Sequence, residues 1–145
     1  MGPTKGRVLV VDDEAAIRAL VAKILERAGY PVETARDGAE AIEKLSEQRY
    51  AVVVLDLMMP NVDGYALIEY LKARGGRLPA IIVISAGDTA ALRRLDGSVV
   101  HSILRKPFDI DVLGDLIAAA VNSMEETEAE ERADVLPFRK NDAAC

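Results

Sequence analysis

The sequence predicts an α/β fold: a single doubly wound, five-stranded parallel sheet with helices on both faces. Five short apolar runs, rich in β-branched residues and too short for helices, alternate with stretches of helical periodicity. The runs are apolar at consecutive positions, which is typical of parallel strands that are covered on each side. Helix-length segments separate most of the runs, as crossovers between parallel strands require.

The expected elements follow one another in β-α order. The first three strands are each followed by a helix, and the region 88–96 has room only for a short fourth helix. Asp109 opens a final helix with apolar residues at helical spacing. Strands are expected at 7–11, 31–34, 51–55, 80–84 and 99–104.

Length and composition indicate one compact domain with short extensions. The chain has 145 residues, half of them hydrophobic, which suits a single domain that needs no disulfide or structural metal. We expect an N-terminal extension at 1–6, the domain at 7–122 and an acidic segment at 123–145. That segment is either an extension of the last helix or a disordered tail; its acids are Glu125, Glu126, Glu128, Glu130 and Glu131.

Charge and hydropathy exclude several classes of function. The net charge of −6 argues against direct binding of nucleic acid, which needs a basic face. No apolar run approaches the roughly 20 residues of a membrane span. The single cysteine, Cys145, permits no disulfide within the chain, which fits a reducing compartment. A cytoplasmic location is therefore expected.

Acidic residues stand directly after two of the strands. Asp12 and Asp13 follow the first strand, and Asp56 follows the third. In an open sheet of order 2-1-3-4-5 these strands are neighbours at the reversal point, where ligands bind beyond the carboxyl ends. Like charges 4 Å apart cost roughly 4 kcal/mol at an effective dielectric of about 20. A divalent cation would offset that repulsion, and carboxylate oxygens suit Mg²⁺.

The fourth and fifth strands end on a hydroxyl and an ammonium group, Ser85 and Lys106. Both groups can bind phosphoryl oxygens. A carboxylate nucleophile, a metal, a hydroxyl and a cation together favour phosphoryl transfer through an aspartyl phosphate.

Four blocks of sequence carry a resemblance to a known family. They resemble the receiver domains of two-component response regulators, chemotaxis regulators among them, from about residue 7 to 121. The resemblance implies a flavodoxin-like sheet. The blocks are Val10-Val11-Asp12-Asp13-Glu14, Leu55-Asp56-Leu57-Met58-Met59-Pro60 with Asp63-Gly64, Ile84-Ser85-Ala86, and Lys106-Pro107-Phe108.

The resemblance implies a role for each matched position. Asp56 matches the phosphorylated aspartate, and Asp12 and Asp13 match the pair that binds Mg²⁺ together with it. Met58 matches the position whose backbone carbonyl completes the metal shell. Ser85 and Lys106 match the residues that bind the phosphoryl group. The Lys106-Pro107 peptide bond is expected to be cis.

One departure concerns how the signal is passed on. The family usually carries Tyr or Phe at a switch position that is Ile103 here, with His101 two residues earlier on the same strand face. Ser85 and Ile103 are thus the expected switch positions, although Ile103 has no ring. The family commonly dimerises or signals through the face formed by the fourth helix, fifth strand and last helix, so this face is the candidate for a homodimer.

The predicted function is phosphoryl acceptance on Asp56 from a histidine kinase or phosphotransfer protein. Magnesium-dependent autodephosphorylation and output through protein contacts would follow, with no other enzymatic activity. A receiver-like scaffold insensitive to phosphorylation is the main alternative. A hydrolase of the haloacid dehalogenase type is disfavoured, because Met58 stands where that class has a second acid. Asp12 and Asp13 could also merely cap the first helix.

Overall fold

The computed structural model describes residues 6–59, 63–86, 92–95 and 97–134, with side chains as far as residue 124. It contains one parallel sheet of five strands, in the order β2-β1-β3-β4-β5. The strands are β1 Val8–Val11, β2 Val32–Ala35, β3 Val52–Asp56, β4 Ala80–Ser85 and β5 Val100–Arg105. The helices are α1 Ala15–Arg27, α2 Gly38–Glu47, α3 Gly64–Arg74 and α4 Ile110–Asp134. The predicted fold class and strand order are confirmed.

Alternate residues of the central strands enter different layers of the core. Leu9, Val53 and Ile81 belong to the cluster that also contains buried residues of α2 and α3. Val8, Val52 and Ile82 belong to the cluster that contains buried residues of α1 and α4. Because successive strand side chains point to opposite faces, this division shows that helices cover both faces of the sheet.

The edge strands differ from the central strands. Every residue of β1 and β3 is buried, whereas intermediate and exposed residues alternate along β5. The predicted covering of the sheet by helices on both faces is confirmed, and β5 at its edge is partly exposed. An edge strand has a neighbour on one side only, and the exposed face of β5 includes His101 and Ile103.

A close approach of backbone fixes the connection after β3. Asp63 caps α3, its carboxylate accepting a hydrogen bond from the Ala66 amide at 2.9 Å. A Cβ on Gly64 would lie 2.7 Å from the Leu57 Cα, closer than real Cβ atoms come. Only glycine therefore lets α3 begin against the residue that follows Asp56. The Lys106-Pro107 peptide bond, which directly follows β5, is cis as predicted.

The last helix is longer than the domain requires. The backbone of α4 continues to Asp134, which includes the first part of the acidic segment. Residues 135–145, and much of the predicted short helix at 88–96, lie outside the described residues. None of the helices in the described part of the chain combines the length and apolar character that a membrane span needs.

Candidate functional site

Three carboxylates meet at the carboxyl ends of β1 and β3. These strands pair directly, with Val11 opposite Leu55, so the residues that follow Val11 come to lie beside Asp56. Oxygens of Asp12, Asp13 and Asp56 lie within 4.8 Å of one another. Asp12 and Asp56 are buried, whereas Asp13 is exposed. The structure thus brings together the three acids that the sequence places after these strands.

Lys106 is the cation of this cluster. Its Nζ lies 3.1 Å from Asp12 Oδ2, 3.2 Å from Asp56 Oδ2 and 3.0 Å from Glu14 Oε1. The side chain is only 12% exposed, so its charge is poorly screened by water and its pairing with the buried acids is strong. The Lys106 amide donates to the Ser85 carbonyl at 3.0 Å, which ties the ends of β5 and β4 together.

The surroundings of Asp56 shift its ionisation. Burial raises the pKa of Asp56 to about 6, and the neighbouring Asp12 charge adds to the rise. The Met58 amide, which donates to Asp56 Oδ1 at 3.1 Å, and the Lys106 ammonium both oppose it. For Lys106, burial disfavours the charge, but hydrogen bonds to Glu14 and Asp12 and the Asp56 charge outweigh burial and raise its pKa. At neutral pH the Asp56 carboxylate is mostly ionised beside a charged lysine.

Asp12 has both a structural and an electrostatic role. Its Oδ1 accepts the Glu14 amide at 2.9 Å, and its carbonyl accepts the Arg18 guanidinium at 2.7 Å. The residue that precedes α1 is Glu14, and no side chain caps the helix there, so the structure does not support the alternative that Asp12 or Asp13 merely caps it. The other oxygen, Oδ2, is buried and pairs with the Lys106 ammonium at 3.1 Å. A buried carboxylate oxygen beside two further carboxylates fits a hard divalent cation.

The remaining predicted residues fall into two groups. Ser85 is fully buried at the end of β4, one residue beyond the position opposite Asp56. Met58 follows Asp56 closely, with its side chain 57% exposed and its amide on the Asp56 carboxylate. Ile103 lies away from the acids on the outer face of β5, 44% exposed. His101, on the same face, contacts only its neighbour Ser102 among the hydrogen bonds described, at 2.8 Å.

Sequence reasoning missed two participants, Glu14 and Arg18. Glu14 supplies a third carboxylate to Lys106 from the rim of the site, and Arg18 anchors the Asp12 backbone from the first turn of α1. Glu14 directly follows the acidic pair, so its position was a usable signal. Arg18 had none, because its contact depends on how α1 packs beyond β1.

One protein family matches most of the chain. Residues 8–118 match the response regulator receiver domain. The chain belongs to that family. As a receiver domain, it is a module of two-component signalling.

Curated relatives of this receiver domain are mycobacterial response regulators. It is 36% identical over 138 residues to the response regulator MprA of Mycobacterium tuberculosis strain H37Rv, covering 94% of this chain and 58% of that protein. It is 40% identical over 109 residues to MprA of Mycobacterium sp. strain KMS, covering 74% of this chain and 46% of that protein. The chain therefore spans about half the length of the curated relatives it matches.

Solved structures agree with the fold of this receiver domain. The chemotaxis response regulator CheY4 of Vibrio cholerae superposes with a TM-score of 0.73 at 29% identity, covering 81% of this chain and 99% of CheY4. The response regulator TrrA of Thermotoga maritima, solved with Mg²⁺ and BeF, superposes with a TM-score of 0.70 at 30% identity. That match covers 79% of this chain and 98% of TrrA.

Proposed function

We propose that this receiver domain accepts a phosphoryl group on Asp56. The observation that carries the proposal is the placement of the Asp56 carboxylate, which lies between the Met58 amide and the Lys106 ammonium and beside Asp12. A nucleophile needs to be ionised and oriented at the same time. With a pKa of about 6, Asp56 meets the first need at neutral pH, and its two contacts meet the second.

The transfer forms one bond and breaks another. A carboxylate oxygen of Asp56 attacks the phosphorus of a phosphohistidine, the phosphorus–nitrogen bond breaks, and the imidazole leaves with its electron pair. Lys106 neutralises charge on the transferred oxygens, and the Ser85 hydroxyl lies at the adjacent strand end to donate a hydrogen bond. Water later attacks the phosphorus, the bond between phosphorus and the Asp56 oxygen breaks, and inorganic phosphate leaves as the carboxylate is regenerated. The domain thus catalyses only its own phosphorylation and dephosphorylation.

Asp12, Asp13 and Asp56 would hold Mg²⁺, with the Met58 backbone carbonyl as a further ligand. The three carboxylates are close enough to share one ion, and the buried Asp12 Oδ2 is paired with the Lys106 ammonium in this structure. When bound, the ion would supply positive charge to the carboxylates and to phosphoryl oxygens. In this structure the Lys106 ammonium pairs with two of those acids, Asp12 and Asp56. A bound metal ion would balance the charge of these acids, and the ammonium could then turn toward the phosphoryl group.

Signal output needs several contacts acting together. Reversing a two-state population from 1:99 to 99:1 takes about 5.5 kcal/mol, and one charge-assisted hydrogen bond contributes about 1.5–3 kcal/mol. Ser85 and Lys106 together would therefore bias the outer surface around β5. Ile103 would report the change through its exposed side chain rather than through an aromatic ring.

The partners follow from this chemistry. A histidine kinase or a phosphotransfer protein would donate the phosphoryl group to the domain at 7–122. Output would pass through protein–protein contacts, and a homodimer through the β5 and α4 face is one form of them. A downstream target that contacts β5 would detect the change at the exposed face that carries His101 and Ile103.

Phosphorylation can be tested directly. The full chain is incubated with Mg²⁺ and acetyl phosphate, and its intact mass is followed beside that of Asp56→Asn. We expect a phosphoryl adduct on the wild type alone, and its loss when EDTA is present. A mass adduct on both proteins would overturn the assignment of Asp56.

The scaffold alternative needs a second measurement. Beryllium fluoride with Mg²⁺ is added to ¹⁵N-labelled protein, and amide shifts are compared between the Asp56 site and the β5 face. Shifts at both places support a phosphorylation-dependent switch. Shifts confined to residues around Asp56 would instead favour the scaffold, because Ile103 would then be insensitive to the event.

A further inference from the structure

A cleft lies at the opposite end of the sheet from the acidic site. It has a volume of about 510 Å³ and is lined by residues just before β1, β3 and β4, by the ends of α2 and α3, and by Met124 of α4. Volumes of roughly 300–1,000 Å³ are typical of sites for small molecules. Residues 51–56 rise about 3.3 Å each along β3, so the strand length separates the cleft from Asp56.

Positive charge collects in this cleft although the chain is acidic. Among the described residues, four arginines line it, namely Arg7, Arg49, Arg74 and Arg77, with one acid, Glu47, whereas the whole chain carries −6. Guanidinium groups bind phosphate in a bidentate manner. The lining therefore has the chemistry of an anion site.

Two of these arginines, Arg74 and Arg7, make contacts that use only part of their hydrogen-bonding capacity. Arg74 donates to the Leu45 carbonyl at 2.8 Å, and Arg7 lies 3.6 Å from a Glu33 carboxylate oxygen. A guanidinium has five N–H donors, so one contact uses a part of its capacity. The positive charge of Arg74 is also attracted by the negative carboxyl end of α2. That attraction falls off within one turn of the helix terminus, so it leaves the remaining N–H donors available.

A buried tyrosine is a second, independent observation that supports an anion site in the cleft. Tyr50 lines the cleft and is 7% exposed, and its hydroxyl has no hydrogen-bond partner among the described residues. Burial, with the charges of Glu33 and Glu47, raises the pKa of this hydroxyl, so it keeps its proton and remains a donor. Buried polar groups without a partner are rare in proteins and call for an explanation.

The rim of the cleft allows close approach. Gly75 and Gly76 both have positive φ, 74° and 78°, and a Cβ on either would meet no atom within 4 Å. The backbone at these glycines is thus open on the side where a side chain would stand. A ligand could approach the main chain there without displacing any group.

We propose that this arginine-lined cleft binds a small phosphorylated molecule, a compact polyanion that carries two or more phosphate groups. The guanidinium groups would hold its phosphate oxygens, and the Tyr50 hydroxyl would gain its missing acceptor. The cleft lies apart from the acids that serve phosphoryl transfer, so binding there needs neither Asp56 nor a divalent cation.

The test uses sodium pyrophosphate and ADP as probes. Each is titrated into the ¹⁵N-labelled full chain with EDTA present, so that no metal bridges the probe to the acidic site. We expect saturable shifts at the amides of Tyr50, Gly75 and Gly76 with both probes, and none with adenosine. The affinity should fall as salt rises, because exposed guanidinium groups are screened.

Variants then locate the site. Arg49→Gln and Arg77→Gln should each weaken binding about tenfold, which corresponds to about 1.4 kcal/mol. Tyr50→Phe should weaken it about threefold. Arg27→Gln is the matched control, because Arg27 is exposed at the end of α1 and does not line the cleft; its affinity should be unchanged.

Three results would overturn the proposal. Absence of shifts around the cleft is the first, and equal losses in Arg27→Gln and Arg49→Gln, the mark of unspecific attraction, are the second. The third is tighter binding of a glutamate decapeptide than of pyrophosphate, which would assign the cleft to an acidic protein segment. Circular dichroism of each variant separates lost binding from lost folding.

Discussion

The two ends of the sheet differ in the sign and the burial of their charged residues. At the carboxyl ends of the strands, the buried acids Asp12 and Asp56 converge on Lys106. At the amino ends, arginines stand around an open cleft, and Arg49 and Arg74 are exposed. The same β-strands run between both ends, so the contrast arises from the residues at the ends of the strands and helices and in the segments that join them.

This difference has an energetic consequence. Charges buried at the carboxyl end interact through a medium of low polarity, so each one strongly affects the others. Charges at the amino end are screened by water and contribute little to stability. Substitutions that remove a charge at the acidic end should therefore change the free energy of unfolding by kilocalories per mole, by an amount that depends on pH. Substitutions that remove a charge at the arginine end should change it little.

The largest effect is expected from Lys106→Met. The substitution leaves the buried acids Asp12 and Asp56 without their cation, and breaking a buried pair costs about 3–5 kcal/mol. We expect a loss of about 3 kcal/mol in the free energy of unfolding at pH 8, measured by urea denaturation. The loss should shrink at pH 5, because Asp56, whose pKa is already raised to about 6, then takes up a proton.

Lys72→Met is the matched control for that measurement. Lys72 pairs with Glu69 at 3.4 Å on the surface of α3, and such a pair contributes less than about 1 kcal/mol. An equal loss for Lys106→Met at both pH values would contradict the role assigned to the buried acids.

A steric change next to the acidic site should follow in size. In Gly64→Ala the new Cβ would lie 2.7 Å from the Leu57 Cα and 3.1 Å from the Asp56 carbonyl oxygen, so the start of α3 must move. We expect a loss of about 2 kcal/mol in thermal or urea unfolding, in the range of other overpacked sites. Gly114→Ala is the control. Its Cβ would meet nothing within 4 Å, and alanine should stabilise α4 by up to about 1 kcal/mol. Equal stability of the two variants would refute the close approach.

Asp56→Asn should stabilise the fold. Because its pKa is raised from 3.8 to about 6, the folded chain binds this proton more tightly than the unfolded chain. Stability from this group therefore falls as pH rises from about 4 to about 6, and above that the charged form costs the fold up to about 3 kcal/mol. We expect Asp56→Asn to gain about 1–2 kcal/mol at pH 8, less than the full cost because its contact with Lys106 weakens.

The pH profile distinguishes this cause from a general effect of amidation. The gain should vanish near pH 4, where the wild-type carboxyl is protonated and resembles the amide. EDTA is kept in all samples, so that metal does not stabilise the wild type alone. A gain of the same size at pH 4 and pH 8 would show that the carboxylate charge is not its source.

Most of the fold could be predicted from the chain. Consecutive apolar residues in β1, β3 and β4 gave a clear strand signal, because those strands are buried on both faces. The half-exposed pattern of β5 was not foreseen. It depends on how much of that edge the neighbouring segments cover, which is a tertiary property that local periodicity does not encode.

The acidic site was predictable for a topological reason. Residues directly after parallel strands meet at one edge, so Asp12, Asp13 and Asp56 could be placed together once the strand order was assumed. Contacts made by side chains that reach across elements, such as Glu14 to Lys106, could not be placed in that way. The arginine cleft escaped for the same reason, because Arg7, Arg49 and Arg77 lie in separate connections.

The smallest effect is expected at the arginine end, from Tyr50→Phe. The change removes a buried hydroxyl that has no hydrogen-bond partner among the described residues and leaves the ring in the core. Deleting an unsatisfied polar group is neutral or stabilising, so the free energy of unfolding should stay within about 1 kcal/mol of wild type, on the side of higher stability. Tyr50→Ala is the contrast, since it also removes the packed ring and should cost about 3–5 kcal/mol. A clear loss in Tyr50→Phe, measured by urea unfolding without added anions, would mean that the hydroxyl already has a partner in solution. The arginine end would then resemble the acidic end, with its buried polar group satisfied before any ligand arrives.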